Sequence, residues 1–168
     1  MRARLLEDPS GPLAWFVEGF RRCHELGILR EQDAARMTAA LEGHSTIGFC
    51  HGDLLLRNVL RDGNGVALVD WECAGAHPQD WDLALLWAGL PAESRPQVEE
   101  VVLRGGGQRA TPARWAAFLA AVAYALAREI KFARGASLGG ALGRLNAAMA
   151  EVQERLHEAL ARVNPPAH

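Results

Sequence analysis

Residues 51–58 read His-Gly-Asp-Leu-Leu-Leu-Arg-Asn, and this segment holds the side chains best suited to chemistry. Asp53 supplies a carboxylate, Asn58 a carboxamide, and a second carboxylate follows at Asp70. Phosphoryl transfer to a hydroxyl needs a carboxylate that orients the hydroxyl and takes its proton, together with oxygen ligands that hold magnesium on the phosphates. Asp53 is therefore a candidate base. Asn58 and Asp70 are candidate magnesium ligands, because Mg²⁺ prefers hard oxygen donors.

A predicted β-hairpin explains how these residues could meet. Strand-like stretches at 58–61 and 66–69 flank Asp-Gly-Asn-Gly at 62–65, which is a strong turn signal. The strands run out from Asn58 and return at Asp70. The hairpin is thus expected to bring the second carboxylate back to the loop that contains Asp53.

Helical periodicity accounts for most of the remaining chain. The predicted helices cover 13–26, 31–42, 80–90, 97–103, 115–130 and 138–156. The last of them has an apolar stripe similar to a coiled-coil seam, but the stripe lasts too few heptads to require a partner helix. The pattern predicts a mainly helical α+β fold, in which residues 1–168 form a single domain and the hairpin is the clear β structure.

Composition argues against several classes of protein. The net charge of −2 argues against a nucleic-acid partner, since nucleic-acid binders usually present a basic face. No apolar run is long enough for a membrane partner, and no signal-peptide pattern opens the chain, so a cytoplasmic location is predicted. Cys23, Cys50 and Cys73 form no CxxC pair, which favours small buried thiols over a zinc or disulfide framework.

Three short sequence features around the loop point to one family. The second loop residue is Gly52, residues 70–72 are Asp-Trp-Glu, and residues 80–84 are Asp-Trp-Asp-Leu-Ala. Together they resemble the aminoglycoside phosphotransferase and choline kinase-like family. The resemblance implies the helical C-terminal lobe of a protein-kinase-like fold. It also implies ATP-dependent, magnesium-assisted transfer of the γ-phosphate to a hydroxyl of a small molecule whose identity the sequence does not reveal.

The resemblance also implies residue roles. By it, Asp53 is the catalytic base, and Asn58 and Asp70 bind magnesium. Three further residues take supporting roles: Glu72 near the metal, Asp82 as a hydrogen-bonding anchor of the loop, and His51 as a packing and orienting residue.

A metallohydrolase centred on His51, Asp53 and Asp70 is a weaker alternative. No second histidine stands at ligand spacing, and His77, the nearest, lies beside a proline, as loop histidines often do.

The nucleotide-binding half of such an enzyme is not evident in the sequence. Related kinases begin with a β-rich lobe whose loop covers the phosphates and whose strand lysine pairs with them. Here two predicted helices precede residue 51. The single lysine, Lys131, lies on a late helix, where a solvated surface charge is the ordinary role. The sequence therefore predicts a C-terminal lobe whose N-terminal nucleotide-binding lobe is absent.

The expected partners are a covering protein surface and a small-molecule acceptor. A separate N-terminal lobe or a second copy of the chain could cover the apolar surface that an isolated lobe exposes. Acidic residues at 93–100 could attract a cationic acceptor, although such runs are usually a solvated face. The alternative function is a non-catalytic binding or interaction module, or a truncated inactive remnant of a kinase.

Overall fold

Helices form most of the chain in the computed structural model, which describes residues 11–44, 46–63, 65–105 and 110–163. Within these ranges, the helices are α1 Gly11–Glu25, α2 Glu31–Glu42, α3 Trp81–Gly89, α4 Arg95–Arg104, α5 Pro112–Gly135 and α6 Gly139–Val163. The strands are β1 Ile47–Cys50, β2 Val59–Asp62, β3 Gly65–Leu68 and β4 Gly75–Pro78. The mainly helical α+β fold and each predicted helix are therefore confirmed, with ends that shift by a few residues.

Local sequence signals explain several helix ends. Pro112 opens α5 at a position where its missing N–H costs nothing, and the Thr111 hydroxyl accepts a hydrogen bond from the backbone of Arg114 at 3.2 Å. The chain leaves α1 through Gly27, whose φ of +63° suits a residue without a Cβ. The same kind of start recurs at α4, which has a proline in its first turn.

The long helix α5 forms the centre of the core. Residues 116–127 are all buried, and α2, α3 and α6 pack around them. Its many alanines allow neighbouring helices to approach closely. Aromatic rings fill the space between α1, α3 and α5, with Phe16 set edge-on against both Trp81 and Tyr124.

The apolar stripe of α6 packs inside the domain. Met149, Val152 and Leu156 are buried against the core, and α6 lies along α5. No partner helix is needed to account for this stripe, as its short length suggested.

Two antiparallel pairs of strands frame the candidate site. The predicted hairpin is present as β2 and β3, with Val59 opposite Leu68, while Asn64 of its turn lies outside the described residues. A second pair joins β1 to β4, with Cys50 opposite Gly75. The expectation that the hairpin is the clear β structure therefore missed a second pair, because the Gly-Ala-His-Pro sequence of β4 has little intrinsic strand preference.

Cys73 and several large apolar side chains are exposed near the strands. Cys23 and Cys50 are buried as predicted, but the prediction was wrong for Cys73, which is exposed in a short turn at Trp71–Cys73. Large apolar side chains near the strands are also exposed, among them Phe49 at 78% and Val66 at 67%.

Among the helices described, none combines the length and apolar character needed to cross a bilayer.

Candidate active site

The first turn of α3 anchors the loop that contains Asp53. Asp82 accepts hydrogen bonds from the backbone N–H groups of His51 at 2.6 Å and Gly52 at 2.9 Å, one on each carboxylate oxygen. The indole of Trp81 donates to the Gly52 carbonyl at 3.1 Å. Hydrogen bonds to an ionised acceptor are stronger than neutral ones. The loop backbone is therefore fixed immediately before the candidate base.

Gly52 is required by the shape of the loop. Its φ is +83°, and a Cβ at this position would lie 2.1 Å from the Cys73 carbonyl oxygen and 2.8 Å from the His77 imidazole. His77 is itself hydrogen-bonded to that carbonyl at 3.1 Å. A residue with a side chain would have to push the loop away from the turn at Trp71–Cys73.

Asn58 orients Asp53 directly. Its side-chain nitrogen donates to the Asp53 backbone carbonyl at 2.8 Å and to the Asp53 carboxylate at 3.2 Å. Asn58 is buried, and the Asp53 side chain is 15% exposed. Because the nitrogen of the carboxamide makes both bonds, its oxygen is the atom left for a cation.

The hairpin returns the chain to this loop as predicted. The N–H of Val69 donates to the Asn58 carbonyl at 3.0 Å, so the residue before Asp70 lies beside Asn58. On the other side, the His51 ring nitrogen Nε2 lies 2.9 Å from the Val69 carbonyl. A carbonyl only accepts, so Nε2 carries the proton. His51 therefore fixes the backbone immediately before Asp70, and its Nε2 is occupied by this hydrogen bond.

Asp70 and Glu72 lie on the exposed side of the site. Asp70 has a left-handed backbone, with φ of +66°, which turns the chain sharply from the hairpin into the turn at Trp71–Cys73. The Trp71 indole supports this turn by donating to the Leu68 carbonyl at 2.9 Å, and its ring lies 4.6 Å from that of His51. Both carboxylates remain accessible to solvent.

The pKa of the Cys73 thiol is raised, first by partial burial and then by the negative charges of Asp53, Glu72 and Asp70, while the positive charge of Arg128 opposes them. The backbone gives the more direct link between the acids. Val69 is hydrogen-bonded to Asn58, which holds Asp53, so Asp70 follows directly after a residue that contacts the loop.

Two arginines that the sequence analysis did not name flank Asp53. Arg57 donates to the carboxylate at 3.1 Å, and Arg128 of α5 lies 3.8 Å from its other oxygen. The Arg128 guanidinium also lies 5.8 Å from the centre of the Trp81 ring. The four-residue spacing from Asp53 could have revealed Arg57. No local signal could have revealed Arg128, which reaches the loop from a distant helix.

The donor atoms fit magnesium better than zinc. The Asn58 oxygen and the Asp70 carboxylate are hard ligands, and Mg²⁺ commonly takes one or two protein ligands together with water and phosphate oxygens. Within the ranges that the structure describes, no three His, Cys, Asp or Glu side chains are grouped to hold a metal ion. His51 is already engaged with Val69. The metallohydrolase alternative therefore has no ligand set among these residues.

Comparison with known proteins places this sequence in a family. The sequence profile of the phosphotransferase enzyme family, APH, matches residues 3–118. A protein of Deinococcus radiodurans named only as uncharacterized is 37% identical over 92 residues, which are 54% of this chain and 23% of that protein.

A solved structure supports the fold. The crystal structure of a choline/ethanolamine kinase family protein from Mesorhizobium loti superposes with a TM-score of 0.52 and 21% identity. The match covers 92% of this chain and 55% of that one, so the chain corresponds to about half of the solved protein. Since the family profile spans most of the sequence, including the loop, the hairpin and α3, this chain belongs to the phosphotransferase enzyme family.

Proposed function

We propose that this chain contains the base and the metal-binding residues of an ATP-dependent small-molecule kinase. The reaction would transfer the γ-phosphate of ATP to a hydroxyl of the acceptor. One observation supports it above the others: a single buried amide, Asn58, holds the Asp53 carboxylate with its nitrogen and leaves its oxygen for a cation, beside the returning hairpin that presents Asp70.

In this proposal Asp53 positions the acceptor hydroxyl and takes its proton. The acceptor oxygen forms a bond to the γ-phosphorus while the bond to the β-phosphate oxygen breaks, and ADP leaves. Asn58, Arg57 and Arg128 keep the Asp53 carboxylate oriented for this step. Asn58 and Asp70 would hold Mg²⁺, which neutralises phosphate charge when bound.

Supporting residues act on the loop rather than on substrate. Asp82 fixes the backbone immediately before Asp53, and His51 fixes the backbone immediately before Asp70. Glu72, exposed next to the Asp70 turn, is placed to bind water around the cation. None of the described elements before β1 is a glycine-rich loop on a strand, so in this proposal the cation held by Asn58 and Asp70 would carry the phosphates of the nucleotide.

The proposed setting is the cytoplasm. ATP is abundant there, and the three cysteines are free thiols, as expected in a reducing compartment.

Calorimetry with Mg²⁺ and ATP, combined with a transfer assay on a panel of small alcohols, tests this proposal. We expect the wild-type chain to bind MgATP and Asp70→Ala to lose that binding. Asp53→Asn should keep binding but lower the transfer rate by roughly 10²- to 10⁴-fold. Its unfolding midpoint should change little, since both arginine contacts to Asp53 come from partly exposed side chains.

Two results would contradict the proposal. If the wild-type chain shows no MgATP binding at millimolar concentration, the chain is not self-sufficient. If Asp53→Asn retains near-wild-type transfer, Asp53 is not the base.

The second candidate is a non-catalytic interaction module, favoured by the exposed apolar side chains of Phe49, Val66 and Trp71 around the loop. In that case MgATP binding, if any, would be unchanged in Asp70→Ala.

A further inference from the structure

A cavity lies along the exposed side of the C-terminal half of α5. It has a volume of about 520 Å³ and is lined by Arg128, Lys131, Phe132, Gly135 and Ala136. The spacing of these residues places them on one face of the helix. The cavity is open to solvent, so a small ligand would lie against this helix face.

Arg128 connects this cavity to the candidate base. Arg128 lines the cavity, and its guanidinium lies 3.8 Å from an Asp53 oxygen. The side chain is 39% exposed, so it is accessible to a ligand as well as to Asp53. The carboxylate that we propose takes the proton therefore lies about one arginine side chain away from the cavity.

The charge of the cavity has one sign. Both of its ionisable lining residues, Arg128 and Lys131, are cations. For Lys131, the described part of the chain offers no ion-pair partner within 4.0 Å, whereas Arg128 is engaged with Asp53. Gly135 and Ala136 leave space, and the Phe132 ring, 65% exposed, offers an apolar wall. Such a lining attracts an anion and repels a cation.

The acidic segment at 93–100 does not offset this charge. Glu99 is paired with Arg155 at 2.8 Å and accepts from the Trp87 indole at 2.9 Å, and Glu100 is paired with Arg104 at 2.7 Å. These carboxylates already have partners, so they are poor candidates for holding a cationic acceptor.

We infer that the acceptor carries an anionic group, a carboxylate or a phosphate, which Arg128 and Lys131 bind while the acceptor hydroxyl reaches Asp53. This inference rests on the proposed phosphotransferase function and names its substrate class. A short carbon chain is sufficient to join the two groups, because Arg128 contacts both the cavity and the base. Phe132 would pack against that carbon chain. Lys131 then has a role beyond that of a solvated surface charge.

The test measures binding without nucleotide or magnesium. Ligand-observed NMR titrations of the full chain would use 3-hydroxypropanoate, glycerol 3-phosphate, neutral propane-1,3-diol and choline at one ionic strength. At least one anion should bind better than both the diol and choline, and the pair of anions separates a carboxylate site from a phosphate site. The double variant Arg128→Gln/Lys131→Gln should weaken anion binding roughly tenfold or more.

Two variants serve as matched controls. Arg144→Gln removes an exposed arginine outside the cavity and should leave anion binding unchanged. Lys131→Arg keeps the positive charge and should retain most of the anion binding. The inference would be overturned if choline binds as tightly as the anions. It would also be overturned if the double variant keeps the preference for anions.

The outcome is separable from the proposed function. Anion binding that depends on Arg128 and Lys131, without any transfer from ATP, would preserve the site and refute the kinase reaction. MgATP binding that depends on Asp70, without a preference for anions, would support the kinase function and refute the anion site.

Discussion

At the scale of single residues, the candidate base is defined by what holds it. Asp53 receives hydrogen bonds from Asn58 and Arg57 and lies near Arg128. These donors fix the direction of the carboxylate before any substrate binds. Preorganisation of this kind matters in phosphoryl transfer, where catalysis is mainly positioning and charge stabilisation.

The exposed thiol of Cys73 provides a probe of this cluster. Since the negative charge of Asp53 helps to raise the pKa of Cys73, replacing Asp53 with Asn should lower that pKa and increase the thiolate fraction. Alkylation by neutral iodoacetamide at pH 8 should therefore be faster in Asp53→Asn than in wild type. Cys23 and Cys50 are buried and contribute little to the early rate.

The control for this experiment is Glu154→Gln, which removes an exposed carboxylate from α6, far along the chain from the site. It should leave the alkylation rate unchanged. Equal rates in Asp53→Asn and wild type would show that Asp53 does not lie near the thiol.

Gly52 allows a second test at this scale. Gly52→Ala combines a positive φ with a Cβ that would meet the Cys73 carbonyl at 2.1 Å, so we expect a loss of roughly 3 kcal/mol in the free energy of unfolding. Gly27→Ala is a matched control, with a φ of +63° and open space around the added Cβ. It should cost only about 1 kcal/mol. Urea denaturation of both variants measures the difference, and equal losses would contradict the close approach.

At the scale of elements, the site depends on how α3 is held. Asp82 in its first turn fixes the loop, and Asp80, just before the helix, forms a two-bond ion pair with Arg114 of α5 at 2.8 and 2.9 Å. Asp80 has a left-handed backbone with φ of +67°, so this pair also holds a strained turn. The loop, α3 and the central helix are thereby joined through two carboxylates.

Removing one partner should show this connection. In Arg114→Gln, the Asp80 carboxylate, 8% exposed, loses its charged partner, and we expect a loss of about 2–3 kcal/mol in the free energy of unfolding. Arg104→Gln breaks a pair whose arginine is 80% exposed and should cost less than about 0.5 kcal/mol. Denaturant unfolding followed by circular dichroism compares them. Similar losses in both variants would contradict a structural role for the pair.

Particular elements show what the sequence could predict. The hairpin and the return of Asp70 followed from a four-residue turn signal and short-range pairing, and the helices followed from apolar spacing. The strand β4 was missed because its pairing with β1 depends on contacts across 25 or more residues rather than on its own composition. Arg128 was missed for the same reason, since only the packing of α5 against α3 brings it to Asp53.

At the scale of the whole molecule, polar chemistry and apolar surface lie side by side. Phe49, Val66, Leu60 and Trp71 are all at least half exposed on the strands and turn around the loop. The core itself lies among the helices, so these side chains contribute little to it. A separate lobe or a second copy of the chain that covers this surface stays a prediction.

The apolar surface should be detectable in solution. The double variant Phe49→Ser/Val66→Ser should lower the fluorescence of bound ANS and raise solubility, with little change in stability, because both side chains are mostly exposed. The same replacements at Leu26 and Val101, exposed elsewhere, provide the control and should lower ANS fluorescence less. Unchanged fluorescence in Phe49→Ser/Val66→Ser would show that this surface does not attract apolar ligands.

The pairing of β1 with β4 has a consequence for how the molecule can open. Cys50 lies opposite Gly75, so the segment between them starts and ends at one point of the β1–β4 pair. This segment contains Asp53, Asn58, Asp70 and Glu72. A segment whose two ends are paired in this way can unfold and refold as one cooperative unit while the helices stay intact. Native-state hydrogen exchange would then release the amides of β2 and β3 together and well before those of α5, so the hairpin that returns Asp70 could move while the loop stays bound to α3.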